Sequence, residues 1–75
     1  MIIEIYGKSQ CQYCDMAVMK AQAMVQENDH TYTYKKLGVD FTKEELLEKF
    51  PSAKTFPQIT IDGNPIGGWN EFKKV

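Results

Sequence analysis

The sequence predicts an α/β domain of element order β-α-β-α-β-β-α, with a four-stranded mixed sheet flanked by helices. Three observations predict it. A β-branched run at the N-terminus gives way to helical spacing and then to β-prone alternation, which calls for a parallel strand pair with a right-handed crossover. A second helix start follows, halted by a proline. Two short apolar runs then surround Asp62-Gly63-Asn64, a hairpin signature that adds an antiparallel strand. Helices packed on such a sheet bury its apolar face.

Each element has its own signal. Ile2, Ile3, Ile5 and Tyr6 are β-branched or aromatic and Gly7 ends the run, so residues 2–6 read as a strand buried on at least one face. Lys8-Ser9-Gln10-Cys11 is a polar loop. From Gln12 the period changes: Cys14, Ala17, Val18, Ala21, Met24 and Val25 form one apolar stripe of a helix over about 12–28, closed by Asn28-Asp29-His30. Met16 and Met19 lie off that stripe, and His30 reads as a turn residue. Thr31 to Lys36 alternates β-prone residues, a second strand. Thr42 and Glu45 have capping-box spacing, Leu46, Leu47 and Phe50 give the second helix an apolar face, and Pro51 stops it. Pro57 to Ile61 and Pro65-Ile66 are the hairpin strands. Gly67-Gly68 leads into a last helix, Trp69 to Val75. Tyr32, Tyr34, Phe41 and Phe50 read as core or sheet-face aromatics, and Trp69 as partly exposed.

Composition narrows the function. The 75 residues make a single domain, 1–75, and a domain this small buries only about 60% of the surface of its unfolded chain. Nine lysines face ten acids, with no arginine, for a net charge of −1. That balance argues against a broad nucleic-acid surface. No run of about 18 apolar residues is present, so no membrane span is expected. Glu4 interrupts the N-terminal apolar run and no basic segment precedes it, so a signal peptide is not expected and a cytoplasmic location is. In that compartment a close cysteine pair is more often catalytic or metal-binding than structural.

Cys11-Gln12-Tyr13-Cys14 is the chemical centre. Cysteines two residues apart can close one disulfide across a helical turn. Cys11 falls where loop gives way to helix, and unpaired N–H groups there favour a thiolate, which should bring its pKa below the free value of roughly 8.5. Lys8 adds positive charge nearby. Cys14, one turn inside, is more shielded and would attack second. Half of a zinc site is another reading of the pair, with His30 the only further Cys/His ligand. An accidental pair of core cysteines is a third, although Cys11 precedes the apolar stripe.

Four segments together resemble a small dithiol glutaredoxin of the thioredoxin-like fold. Cys11-Gln12-Tyr13-Cys14 resembles that family's Cys-Pro-Tyr-Cys. Thr55-Phe56-Pro57 resembles its Thr-Val-Pro, Gly67-Gly68 its paired glycines, and Trp69-Asn70-Glu71 the residues after them. The resemblance spans essentially the whole chain. It implies a glutathione-dependent thiol–disulfide oxidoreductase, with catalytic Cys11 and Cys14 forming the redox-active disulfide and no permanently bound cofactor or metal. Pro57 would be cis, so that Phe56 offers its N–H and C=O to an extended peptide, beside Thr55. Gly68 would let the γ-glutamyl end of glutathione approach, Asn70 would bind its carboxylate and Glu71 its amino group. Lys8 would pair with the glycyl carboxylate and Tyr13 would pack beside the tripeptide, with Lys54 or Gln10 assisting. Without the resemblance, Lys8 is a solvated loop lysine, and Asn70 and Glu71 cap a helix.

The implied partners are glutathione and disulfide-containing or glutathionylated proteins, ribonucleotide reductase among them, acting on a monomer. Reduction by thioredoxin reductase and an iron–sulfur carrier role are the alternatives. Gln12 stands where the family has proline and adds an N–H near Cys11. Activity is expected to persist, with a potential of roughly −200 to −230 mV.

Overall fold

The computed structural model describes residues 1–75. It contains β1 (Ile2–Gly7), α1 (Gln12–Glu27), β2 (Thr31–Lys36), α2 (Lys43–Lys49), β3 (Gln58–Ile61), β4 (Asn64–Gly67) and α3 (Trp69–Phe72), the expected order. The strands form one mixed sheet in the order β2-β1-β3-β4. β1 pairs parallel with β2 and antiparallel with β3, and β4 closes the edge as an antiparallel partner of β3.

Alternation along the strands divides the sheet into two faces. Ile3, Ile5 and Ile59 point to one face, where Ala17 and Ala21 of α1 and Phe72 of α3 complete a fully buried core. Alanine at both α1 positions lets that helix lie close on the strands. On the other face Tyr6 meets Phe41 and Phe50 edge-on, with centroids 5.2 and 5.4 Å away, beside Leu46 of α2. These are the favoured aromatic geometries. Elsewhere this face is polar. Glu4 accepts from Lys35 Nζ at 3.1 Å and from the Thr60 hydroxyl at 2.9 Å.

Local signals explain the boundaries. Thr42 and Glu45 exchange both capping-box bonds, at 2.9 and 3.2 Å, which fixes the start of α2. Asp62 and Gly63 both have positive φ, 52° and 84°, the pattern of a two-residue type I′ hairpin. β4 therefore begins at Asn64, one residue earlier than expected, and Pro65 is accommodated because β4 is an edge. β1 runs through Gly7, which pairs with Lys36 instead of ending the strand. A Cβ there would strike the Tyr34 ring.

Ile2 is 61% exposed: alternation puts it on the same face as Tyr6, outside the Tyr6–Phe41–Leu46–Phe50 cluster, while Ile3 and Ile5 bury the other face of the strand. One expectation is corrected. The last helix stops at Phe72 and does not extend to Val75. Lys20 of α1 sits 5.5 Å over the Phe72 ring and donates to the carbonyls of Lys73 and Val75, at 3.2 and 2.8 Å. The tail carbonyls are thus paired with α1. Trp69 packs edge-on against Phe72, centroids 6.4 Å apart, and stays half-buried as expected. No helix is long and apolar enough to cross a membrane.

Phe72 is the largest fully buried side chain. Phe72→Ala should cost about 3–5 kcal/mol, a large share of such a domain's stability. A drop of less than about 1 kcal/mol in urea unfolding would contradict this account of the core. The Lys35 hydrogen bond holds the Glu4 carboxyl below its ordinary value, aided by Thr60 and opposed by burial. The Glu4 hydrogen bond likewise raises Lys35. A depressed carboxylate stabilises the fold above its unfolded pKa, and that contribution fades as pH falls through the lowered folded value. A raised lysine contributes below its unfolded pKa and loses that contribution as pH rises through the folded value. Glu4→Gln should therefore destabilise by about 0.5–1 kcal/mol at neutral pH. The gap to wild type should close in acid, which unfolding curves at both pH values would report.

Candidate active site

The site forms where β1 hands the chain to α1. The central strand delivers residues 8–10 as a short loop, and Gln10 turns it with φ of +54°, a conformation uncommon outside glycine and asparagine. Cys11 follows as the N-cap of α1 with extended backbone, and its Sγ accepts the Cys14 N–H at 3.2 Å. A serine or aspartate oxygen commonly fills this role. Cys11 is half-buried and Cys14 fully buried, and the two are joined as a disulfide with Cα atoms 5.2 Å apart. When the disulfide opens, negative charge on Cys11 meets the donors and positive end of α1.

Tyr34 of β2 braces this loop. Its ring lies against Gly7, and its hydroxyl donates to the Lys8 carbonyl at 3.4 Å. Burial, and secondarily the charge of Asp15, raise its pKa, so it remains a donor at neutral pH. The sequence marked Tyr34 only as a sheet aromatic. Its contact with the loop arises from the parallel pairing of β1 and β2, which no local signal encodes.

A groove of about 740 Å³ opens beside the cysteine turn. It gathers Tyr13, Thr55, Phe56, Gly68, Asn70 and Glu71 from three separated stretches of chain. A smaller groove of about 490 Å³ adjoins it and contains Lys8. Tyr13, Lys54, Thr55 and Phe56 line both. Lys8 Nζ also sits 5.6 Å over the Phe56 ring. Cys11, Cys14, Pro57 and Gln10 line neither groove, and Tyr13 is what links the cysteine turn to them.

The Phe56–Pro57 peptide is cis, as the resemblance implied. Pro57 is buried, and Gln58 anchors the turn by donating Nε2 to the Thr55 carbonyl at 2.8 Å. The N–H and C=O of Phe56 make no hydrogen bond within the chain, so a strand-like partner has a donor and an acceptor to meet. At the far wall Gly68 N–H donates to Glu71 Oε1 at 2.8 Å, which makes Glu71 a capping residue. A Cβ on Gly68 would come within 3.0 Å of the Pro57 carbonyl, so only glycine lets these two segments pack together. Trp69, part of the segment that resembles the family, lines the groove, whereas Gln58 carried no separate sequence signal for the site.

Nothing draws the cysteines into a metal cluster: no group of three or more His, Cys, Asp or Glu side chains converges. His30 pairs instead with the Met1 amino group, which donates to its Nδ1 at 3.0 Å.

Known proteins share this arrangement. The family model described as Glutaredoxin matches residues 3–66. Glutaredoxin 1 of Escherichia coli (strain K12) is 37% identical over 71 residues, covering 91% of this chain and 84% of that protein. Glutaredoxin of Haemophilus influenzae is 36% identical over 78 residues, covering 100% and 90%. Among solved structures, reduced Escherichia coli glutaredoxin superposes with a TM-score of 0.86 at 35% identity, covering 99% of this chain and 91% of that one. The oxidised form of that protein gives 0.80 at 35% identity, with the same coverage.

Burial separates the two cysteines by reactivity once they are reduced, because a half-buried thiol at a helix start is both accessible and activated. Iodoacetamide at neutral pH should alkylate Cys11 at least about tenfold faster than Cys14. Equal labelling in a timed mass-spectrometric quench would overturn the assigned order.

Proposed function

The chain belongs to the glutaredoxin family of thiol–disulfide oxidoreductases, and from that premise we propose that it reduces glutathionylated and disulfide-bonded proteins at the expense of glutathione. The observation that carries this reading is Cys11 at the head of α1, its sulfur holding the Cys14 N–H at 3.2 Å, with Cys14 buried behind it.

On a glutathionylated protein, the Cys11 thiolate attacks the glutathione sulfur. The protein thiolate leaves and takes a proton, and a Cys11–glutathione mixed disulfide remains. A second glutathione thiolate attacks that sulfur, releasing oxidised glutathione and restoring the Cys11 thiolate. On a protein disulfide, Cys11 forms a mixed disulfide with one protein sulfur and frees the other as a thiol. Cys14 then loses its proton and attacks Cys11. The reduced protein leaves, and the Cys11–Cys14 disulfide is reopened by two glutathiones.

For glutathione, the free N–H and C=O of Phe56, next to Thr55 and Pro57, pair with the cysteinyl backbone. Tyr13, 54% exposed, packs along the tripeptide. Lys8 meets the glycyl carboxylate, while Gly68, Asn70 and Glu71 receive the γ-glutamyl end across the groove. Because the chain has no arginine, these carboxylates meet lysine and backbone donors. Residues 1–75 act as one domain and as a monomer in the cytoplasm, with glutathione a co-substrate and no resident cofactor. Ribonucleotide reductase is one protein target that fits.

A coupled assay with glutathione, glutathione reductase and a small glutathione mixed disulfide tests the roles. Cys11→Ser should abolish turnover. Cys14→Ser should retain it on that substrate and lose it on a protein disulfide. Equal activity of both variants and wild type would sink the assignment.

A further inference from the structure

We propose that Gln10 is a specificity-determining residue for protein substrates: its side-chain amide pairs with the substrate main chain beside the reacting cysteine. The proposal rests on the thiol–disulfide reading above and adds a residue to the same centre.

Backbone conformation is the first argument. Two residues other than glycine have positive φ, Gln10 at 54° and Asp62 at 52°. In that region a side chain crowds its own backbone, whereas glycine enters it freely. Asp62 has local reasons to be there. Aspartate tolerates the conformation, Gly63 completes the hairpin turn, and the Asp62 carboxylate accepts the Ile2 N–H at 2.8 Å. Gln10 has none of these. It is exposed, and the side-chain hydrogen bond that braces its loop runs from Tyr34 to the Lys8 carbonyl, so the Gln10 amide has no partner within the chain. Glycine would make the same turn with less strain, so loop geometry alone does not account for glutamine. Strained residues of this kind collect at working sites, where function offsets the strain. Gln12, on the other side of Cys11, is exposed too but starts α1 without positive φ.

Position is the second argument. Gln10 precedes Cys11, whose sulfur the substrate joins, yet it lines neither groove. Glutathione seated between Lys8 and Asn70 therefore leaves the Gln10 amide untouched. A protein is wider than either groove. Once its sulfur meets Cys11, it rests on the rim around that residue, where Gln10 stands exposed. A primary amide matches a peptide group: its NH2 donates to a main-chain carbonyl while its oxygen accepts a main-chain N–H. An extended substrate segment that pairs one edge with Phe56 leaves its other edge of N–H and C=O groups unpaired. Gln10 offers that edge a donor and an acceptor, and it reads main chain without regard to side-chain charge.

The test separates side chain from backbone. Gln10→Gly removes the amide and relieves the left-handed position, whereas Gln10→Ala removes the amide and keeps the strain. Gln10→Gly should resist urea at least as well as wild type, and Gln10→Ala less well. On a protein disulfide both should lose on the order of threefold to tenfold in kcat/KM, measured relative to their own turnover of the small glutathione mixed disulfide. A merely structural residue would follow stability instead. A Gln10→Gly variant with wild-type activity on the protein disulfide, or equal losses on both substrates, would overturn the proposal. A second measurement needs no turnover. In the Cys14→Ser chain, Cys11 is joined either to glutathione or to a blocked, uncharged peptide with a central cysteine, each supplied as a disulfide with an aromatic thiol that leaves. The Gln10 side-chain NH2 resonances, identified by their absence in Gln10→Ala, should shift and exchange more slowly with water in the peptide adduct only. No change in either adduct, or the same change in both, would also overturn it. Failure of the wild-type chain on the small mixed disulfide would instead refute the glutathione reading, while the adduct spectra still decide the role of Gln10.

Discussion

The bond from the Cys14 N–H to the Cys11 sulfur is the contact on which this structure turns. It is a helix cap and a redox device at once, and the core fixes both ends. Cys14 belongs to the stripe that Ala17 and Ala21 press onto Ile3 and Ile5, so the first turn of α1 cannot shift without opening the apolar layer. Cys11 is held from the other side by β1, one of the two strands with partners on both edges. Tyr34 ties the intervening loop to β2 through the Lys8 carbonyl. The reactive sulfur is thus placed by packing that extends across the sheet. Such preorganisation is what a small active site requires.

Much of this was legible from local chemistry. The stripe from Cys14 to Met24, the Thr42–Glu45 box and the Asp62-Gly63 turn each specify their element through short-range sterics or hydrogen bonds. The boundaries that shifted depended on distant partners. Gly7 joins the sheet because Lys36 pairs with it, and α3 ends where Lys20 reaches over from α1. The pattern of the site divides the same way. The cysteine spacing and the resemblance at Thr55-Phe56-Pro57 singled out groove residues that lie far apart in the chain. The bracing by Tyr34 and the anchoring by Gln58 are tertiary facts, and no periodicity announces them.

The missing arginines gain meaning from the geometry. A guanidinium fork would recognise one carboxylate in one orientation. Lysines act as point charges on flexible stems, and the four around the grooves create a field more than a set of fixed pairs. Such a field attracts anionic groups without fixing their orientation. Geometric selectivity then falls to the backbone: the free N–H and C=O of Phe56, and the close approach of Gly68 to the Pro57 carbonyl.

The two grooves share a wall. Tyr13, Lys54, Thr55 and Phe56 face both spaces. Lys8 opens only on the smaller groove, and Gly68, Asn70 and Glu71 only on the larger. An extended ligand that met both sets would have to cross the shared wall, beside the unpaired N–H and C=O of Phe56. The backbone of one residue thus stands at the junction of the two spaces, and the cis Phe56–Pro57 peptide and the Gln58–Thr55 hydrogen bond fix it there.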